Sequence, residues 1–197
     1  MSEKVYIFLA DGFEEIEGLT VVDILRRASV DIEMVSITGS RSVRGSHGIC
    51  VEADRLFEGN ELADGAMYVL PGGMPGTRYL GEHEGLCALL KNAKAQGRIV
   101  AAICAAPQVL AKAGISRGRR LTSYPGQKFY DLFADADYVD DNRKTEECVV
   151  VDGNLITSRG PATTLPFAYR LVEILGGDAD ALRKAMQYEA LKEALRH

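Results

Sequence analysis

The sequence predicts an α/β fold in which a mostly parallel sheet is covered by helices on both faces. Two observations carry that prediction. Strand-like apolar runs alternate with helical segments along the whole chain, the pattern of repeated β-α-β units. The run Ile99-Val100-Ala101-Ala102-Ile103 is apolar at every position, which suits a parallel strand buried on both faces. A third observation bounds the size. With 197 residues, no repeat and no linker-like tract, residues 1–197 read as one domain with a substantial core.

Taken in order, Val5–Ala10 is a first strand, and Asp11-Gly12 supplies the turn after it. Residues 16–28 place Ile16, Leu19, Val22, Asp23 and Arg26 at helical spacing and close on Arg26-Arg27, which suits a helix C-terminus. Asp31–Thr38 is a second strand, and Gly39–Asp54 a loop with short strands around Val43 and Ile49-Cys50-Val51. Gly65–Leu70 is a strand ending in Pro71-Gly72-Gly73-Met74-Pro75-Gly76. One helix is expected over Thr77–Gln96, then the apolar strand, then a helix over Gln108–Ala113. Arg119–Ser123 is a short strand, followed by a turn at Tyr124-Pro125-Gly126 and a brief helix to Phe133. Asp137–Val139, Glu147–Val151 and Asn154–Ser158 read as strands, the last two joined at Asp152-Gly153, a strong hairpin signal. Pro161 opens a helix to Leu175, and Ala179–Leu195 is expected to be one amphipathic helix.

Composition excludes several classes. The net charge of −5 gives no electrostatic reason to expect nucleic acid or an anionic membrane as partner. Cys50, Cys87, Cys104 and Cys148 form no C-x-x-C pair and have no histidine at zinc-finger spacing, so no structural zinc site is expected. The N-terminal apolar run is too short for a signal peptide or membrane span, and a cytoplasmic location is expected, where thiols stay reduced. Cys87 and Cys148 fall in a helical and a strand pattern and read as packing residues.

Cys104 follows the apolar strand directly and precedes a helix. A strand-to-helix turn presents such a side chain above the carboxyl edge of the sheet, as in a nucleophile elbow. Free amides at the helix start favour thiolate over thiol. Small Ala105 and Ala106 let the turn close. The competing reading is a buried structural cysteine. In open α/β sheets ligands gather at the carboxyl ends of the strands, where the Asp11–Glu17 loop and the Pro71–Gly76 loop would meet the Cys104 turn. Leu70-Pro71-Gly72-Gly73 offers unobstructed amides for a developing oxyanion, or is a tight turn with no chemistry. Glu14, Glu15 and Glu17 are either solvated carboxylates at a helix start, or one of them leans over Cys104. Crowded against a thiolate, that acid would be protonated and would donate a hydrogen bond to sulfur. Spacing does not choose among the three.

The segments Ala10-Asp-Gly-Phe-Glu-Glu-Ile-Glu17, Val69-Leu-Pro-Gly-Gly73, Ala101-Ala-Ile-Cys-Ala-Ala-Pro107 and Leu155-Ile-Thr-Ser-Arg-Gly-Pro161 together resemble the ThiJ/PfpI superfamily. Within it they are most similar to the subfamily of the parkinsonism-associated protein deglycase and its bacterial relatives. The resemblance implies a flavodoxin-like three-layer α/β/α sandwich of the class I glutamine amidotransferase type, and a homodimer. It implies that Cys104 is the reactive cysteine, Glu17 its protonated partner, and Gly73 and Ala105 the oxyanion amides with Gly72 adjacent. Arg159 and Pro161 would line the pocket, and Glu14, Arg26 and Cys50 would face the dimer interface. Two departures stand out. The protease-like branch carries histidine directly after the cysteine, where this chain has Ala105, which disfavours a peptidase or amidase. A pocket histidine of some deglycase-type members corresponds to Tyr124, which is either a proton-transfer group or a packed turn aromatic. His47, His83 and His197 read as solvated or packing residues.

The resemblance thus implies a cysteine-dependent glyoxalase or deglycase acting on small 2-oxoaldehydes such as methylglyoxal, with neither cofactor nor metal. The alternative is a redox-sensing, chaperone-like stress protein whose Cys104 is oxidised to sulfinic acid.

Overall fold

A computed structural model describes residues 3–139 and 147–195, for residues 59 and 60 the backbone alone. The expectation for His197 falls outside the described residues. Along the chain lie β1 (Lys4–Leu9), α1 (Glu15–Arg27), β2 (Asp31–Ser36), β3 (Ser42–Arg44), β4 (Cys50–Glu52) and β5 (Arg55–Leu56). Then come β6 (Met67–Leu70), α2 (Gly76–Glu82), α3 (Glu84–Ala95), β7 (Ile99–Ile103), α4 (Pro107–Lys112), β8 (Arg120–Leu121) and α5 (Gln127–Leu132). β9 (Asp137–Tyr138), β10 (Val149–Asp152), β11 (Leu155–Ser158), α6 (Thr164–Ile174), α7 (Ala179–Ala185) and α8 (Tyr188–Ala194) complete it.

The central sheet runs β10-β11-β7-β6-β1-β2-β5. Every neighbouring pair in it is parallel except the β10–β11 hairpin. This is the expected sandwich, with β1, β6 and β7 buried along nearly their whole length. The chain leaves β1 toward β2 on one side and later fills β6, β7 and β11 on the other. That reversal places the crevice for a ligand at the carboxyl ends of β1, β6 and β7. Short β3 and β4 form a separate antiparallel ribbon, and β8 and β9 a separate parallel pair.

Two expected helices are each two helices. The span over 77–96 breaks at His83, whose backbone is extended (ψ 97°) and whose Nδ1 accepts from Leu86 N, so His83 caps α3. Its ring also meets Phe57 edge-on, with centroids 4.5 Å apart. Capping and packing at one residue outweigh the periodicity that runs through it. The span over 179–195 breaks at Gln187, which sits in the left-handed region at φ 58°. The hydrophobic spacing survives such a single reversed residue, which is why the pattern reads as continuous.

Candidate active site

The turn after β7 decides the site. Cys104 has φ 61°, a left-handed conformation costing a non-glycine residue about 1–2 kcal/mol. Its backbone is pinned on both sides: Cys104 N donates to Ser158 O at 3.0 Å, and Cys104 O accepts from Tyr124 N at 2.7 Å. These bonds tie the turn to the end of β11 and to the 124 loop, so the side chain is aimed by main chain. α4 spans only Pro107–Lys112. The positive potential at sulfur therefore comes from two local amides, those of Ala105 and Gly73, which lower the Cys104 thiol's pKa.

Glu17 approaches from α1. It is completely buried, and its Oε2 accepts from Gly72 N at 2.7 Å. Its carboxyl meets the Cys104 side chain, while Oε1 is buried without a partner of full hydrogen-bond geometry. Gly72 is required here, since a Cβ would lie 2.6 Å from Glu17 Oε2 and 2.7 Å from Cys104 Cβ. Gly73 is in the left-handed region at φ 91°, and its Cβ would strike Glu14 N at 2.3 Å. The pair of glycines is thus demanded by the approach of α1 to the cysteine turn.

Burial pushes the Glu17 carboxyl up to about 7. Burial, followed by the charge and hydrogen bond of Glu17, pushes the Cys104 thiol up to about 12, while the Ala105 and Gly73 amides pull it down. Two buried groups in contact do not both carry negative charge, so they titrate as a pair. With the proton on Glu17, its repulsion of the thiolate vanishes and the two amides remain. This corrects the expectation that a helix start by itself favours the Cys104 thiolate. Cys104 is 8% exposed, and its ionisation depends on where the shared proton sits.

The solvated alternative for the acid run is also overturned: Glu14, Glu15 and Glu17 are all buried. Glu14 caps α1, its Oε2 accepting from Glu17 N at 2.8 Å. Glu15 turns away from the cysteine toward the β3–β4 loop. Its Oε1 accepts from His47 N (2.7 Å) and Ile49 N (3.4 Å), and its Oε2 meets His47 Nδ1 (2.8 Å) and Ser46 Oγ (3.2 Å). Burial works against ionisation there, but the His47 side chain and the backbone amides prevail and hold Glu15 down to about 2.

Cys104, Glu17, Gly72, Gly73 and Ala105 therefore converge. Tyr124 stands near them with its ring half exposed and lying against Gly160. Pro161 opens the short turn before α6, and Arg159 N donates to Thr163 Oγ1. Arg26 lies apart on the surface, paired with Asp54 at 2.7 Å, and Cys50 is exposed on β4. Neither His47, bound to Glu15, nor His83, capping α3, is placed as a base for Cys104. Two further contributors emerge. Gln108 Nε2 donates to Ala105 O at 3.1 Å and steadies the peptide that carries the Ala105 amide. Half-exposed Met74 borders it, with Sδ 3.9 Å from Gln108 Nε2. A buried glutamine in the first turn after the cysteine was the available signal for the first; Met74 had none.

Known proteins are similar to this chain in sequence and in fold. Protein dj-1beta of Drosophila melanogaster is 40% identical over 177 residues, covering 90% of this chain and 91% of that protein. A deglycase of Pyrococcus abyssi is 34% identical over 87% of this chain and 99% of its own length. Among solved structures, Drosophila DJ-1beta superposes with a TM-score of 0.85 at 38% identity, covering 95% of this chain and 98% of that one. Oxidised Toxoplasma gondii DJ-1 superposes at 0.81 with 33% identity, covering 94% and 98%. Residues 3–174 match the model of the DJ-1/PfpI family, and with the cysteine turn, the glycine pair and the sandwich all in place, the chain belongs to that family.

Proposed function

We propose that the chain is a cofactor-free glyoxalase or deglycase that acts on small 2-oxoaldehydes such as methylglyoxal, with Cys104 as nucleophile. The observation that supports this reading most directly is the contact of the fully buried Glu17 carboxyl with the Cys104 side chain, beside the backbone amides of Gly73 and Ala105. The Cys104 sulfur adds to the aldehyde carbon, and the thiol proton ends on the aldehyde oxygen, giving a hemithioacetal. The Gly73 and Ala105 amides hold the oxygen as charge develops on it. Glu17, poised near neutrality, takes the proton from the former aldehyde carbon and returns it to the neighbouring carbonyl carbon, while the hydroxyl proton passes from the first oxygen to the neighbouring one, so that the first carbon becomes the thioester carbonyl and the second bears the hydroxyl. The product is a thioester of a 2-hydroxy acid, and water releases the acid and regenerates the thiol. No oxidant or reductant is needed, because one carbon is oxidised as its neighbour is reduced. Arg159, Pro161 and Tyr124 would line the pocket.

The decisive measurement is glutathione-free conversion of methylglyoxal to lactate, read with an enantiomer-specific assay. Wild type is expected to turn over many times, with activity lost in Cys104→Ser and Glu17→Ala. Stoichiometric aldehyde loss without lactate would overturn the reading.

A redox-sensing, chaperone-like role is the second reading. It is favoured by the same amides, which can hold a sulfinate on Cys104, and by the oxidised state named for the Toxoplasma relative. A sensor is consumed once where an enzyme cycles. We also propose a homodimer, with Glu14, Arg26 and Cys50 near its interface and with exposed Ile16 and Ile49 as apolar surface. Light scattering tests it.

A further inference from the structure

Behind the cysteine turn runs a line of buried hydroxyls that the reaction above does not use. Thr122 and Ser123 follow β8 and are each 1% exposed, and Tyr138 on β9 is 9% exposed. Thr122 N donates to Thr157 Oγ1 on β11 at 2.9 Å, and Thr122 Oγ1 donates to Val139 O at 2.7 Å. Ser123 Oγ donates to Tyr124 O at 3.1 Å and lies 2.6 Å from the Tyr138 hydroxyl. Serine has a single hydroxyl hydrogen, so Tyr138 is the donor in that short contact. Burial raises the Tyr138 pKa above its ordinary value, which keeps the proton available for donation. The ring is held independently of its hydroxyl. It stacks on Phe133 and meets Tyr130 edge-on, with centroids 5.5 Å apart in each case. Apolar side chains would fill both places without the cost of burying a hydroxyl, so packing alone does not account for the pair.

The line ends on the peptide that joins Cys104 to Ala105. Tyr124 N donates to Cys104 O at 2.7 Å, and that carbonyl belongs to the same peptide group as the Ala105 amide. A hydrogen bond accepted at a peptide oxygen polarises the N–H of that peptide and strengthens the bond it gives. The Ala105 amide is one of the two that lower the Cys104 thiol's pKa. We propose that Ser123 and Tyr138 are positioning residues, which fix Tyr124 so that its amide orients and polarises the Cys104–Ala105 peptide. The assignment rests on the reading of the Ala105 amide as an oxyanion donor. Both residues act through Tyr124, Tyr138 by way of Ser123. Every bond in the line is closed within one chain and buried there, so a second copy seated on α1 leaves it unchanged. Sequence spacing hides it, because Tyr138 lies 15 residues from Ser123 and arrives on a different strand.

The test pairs glutathione-free methylglyoxal kinetics with the rate at which iodoacetamide alkylates Cys104 at neutral pH, read by mass spectrometry of the Cys104 peptide. Wild type is compared with Tyr138→Phe, Ser123→Ala, the double variant, and Tyr130→Phe, which deletes a neighbouring hydroxyl outside the line. Circular dichroism checks folding, and Tyr138→Phe, which keeps the ring, carries the comparison should Ser123→Ala unfold. Tyr138→Phe and Ser123→Ala are each expected to lower kcat roughly tenfold at unchanged KM and to slow Cys104 alkylation several-fold. The double variant should lose no more than Ser123→Ala, because the two hydroxyls act as one unit, and Tyr130→Phe should match wild type. A merely structural role would lower stability and leave both rates alone. The proposal is overturned by wild-type alkylation rates in both single variants, by a raised KM at unchanged kcat, or by losses that multiply in the double variant. Absence of lactate from wild type would overturn the glyoxalase reading alone, and the alkylation rates would then decide this one.

Discussion

Glu15 and Glu17 sit on the same first turn of α1, and both are almost fully withdrawn from water. Yet one is held down to about 2 and the other is pushed up to about 7. Partners make the difference. Glu15 is met by two backbone amides, a hydroxyl and an imidazole, and Glu17 by one amide and a thiol. Burial alone therefore predicts nothing about a carboxyl's charge; the count of donors decides. Glu15 is a clamp for the β3–β4 loop, and Glu17 is a place to keep a proton.

The contrast is broken most sharply by function. Glu17→Gln removes the titrating proton while keeping an oxygen for Gly72 N, and should lower methylglyoxal turnover about 100-fold or more. Steady-state kinetics with unchanged circular dichroism is the check. Next in size is stability. Glu15→Ala strands the His47 and Ile49 amides and should cost about 2–4 kcal/mol in urea unfolding.

The pH dependence then separates the two acids by sign. Glu17 is raised above its ordinary 4.5 to about 7, so the folded state holds the extra proton between those values. Stability contributed by that proton is intact below about 4.5 and is lost as pH rises through 7, by on the order of 3 kcal/mol at most. Glu15 is lowered from 4.5 to about 2, so its contribution is intact above 4.5 and is lost as pH falls toward 2. Unfolding midpoints of wild type and Glu17→Gln from pH 5 to 8 should converge at the acid end and diverge at the alkaline end. Parallel curves would refute a protonated Glu17. The smallest effect concerns the turn itself. Cys104→Gly should exceed Cys104→Ala in stability by about 1 kcal/mol, because glycine relieves the left-handed strain at φ 61°.

Much of this was legible in the sequence, for physical reasons. Buried parallel strands such as Ile99–Ile103 betray themselves because both faces must be apolar. The Asp152-Gly153 hairpin announces itself because its turn needs a left-handed residue, supplied by Gly153 at φ 57°. The breaks at His83 and Gln187 were hidden, since one depends on a cap and a ring contact with Phe57, and the other on a single reversed residue within an unbroken apolar stripe. Within the acid run, spacing could not say which glutamate meets Cys104. That depends on where the β3–β4 loop and the Gly72 turn lie, and neither is local to the helix. The resemblance supplied Glu17; residue patterns alone would have left three candidates.

The main-chain bonds at Cys104 have a consequence for how such proteins diverge. Ser158 and Tyr124 hold residue 104 through its amide and carbonyl, contacts that are blind to the side chain. The architecture therefore does not depend on sulfur being there. A lineage can exchange or lose the reactive group at this junction and inherit the scaffold intact, so kinship of fold and kinship of chemistry are free to part at a single codon.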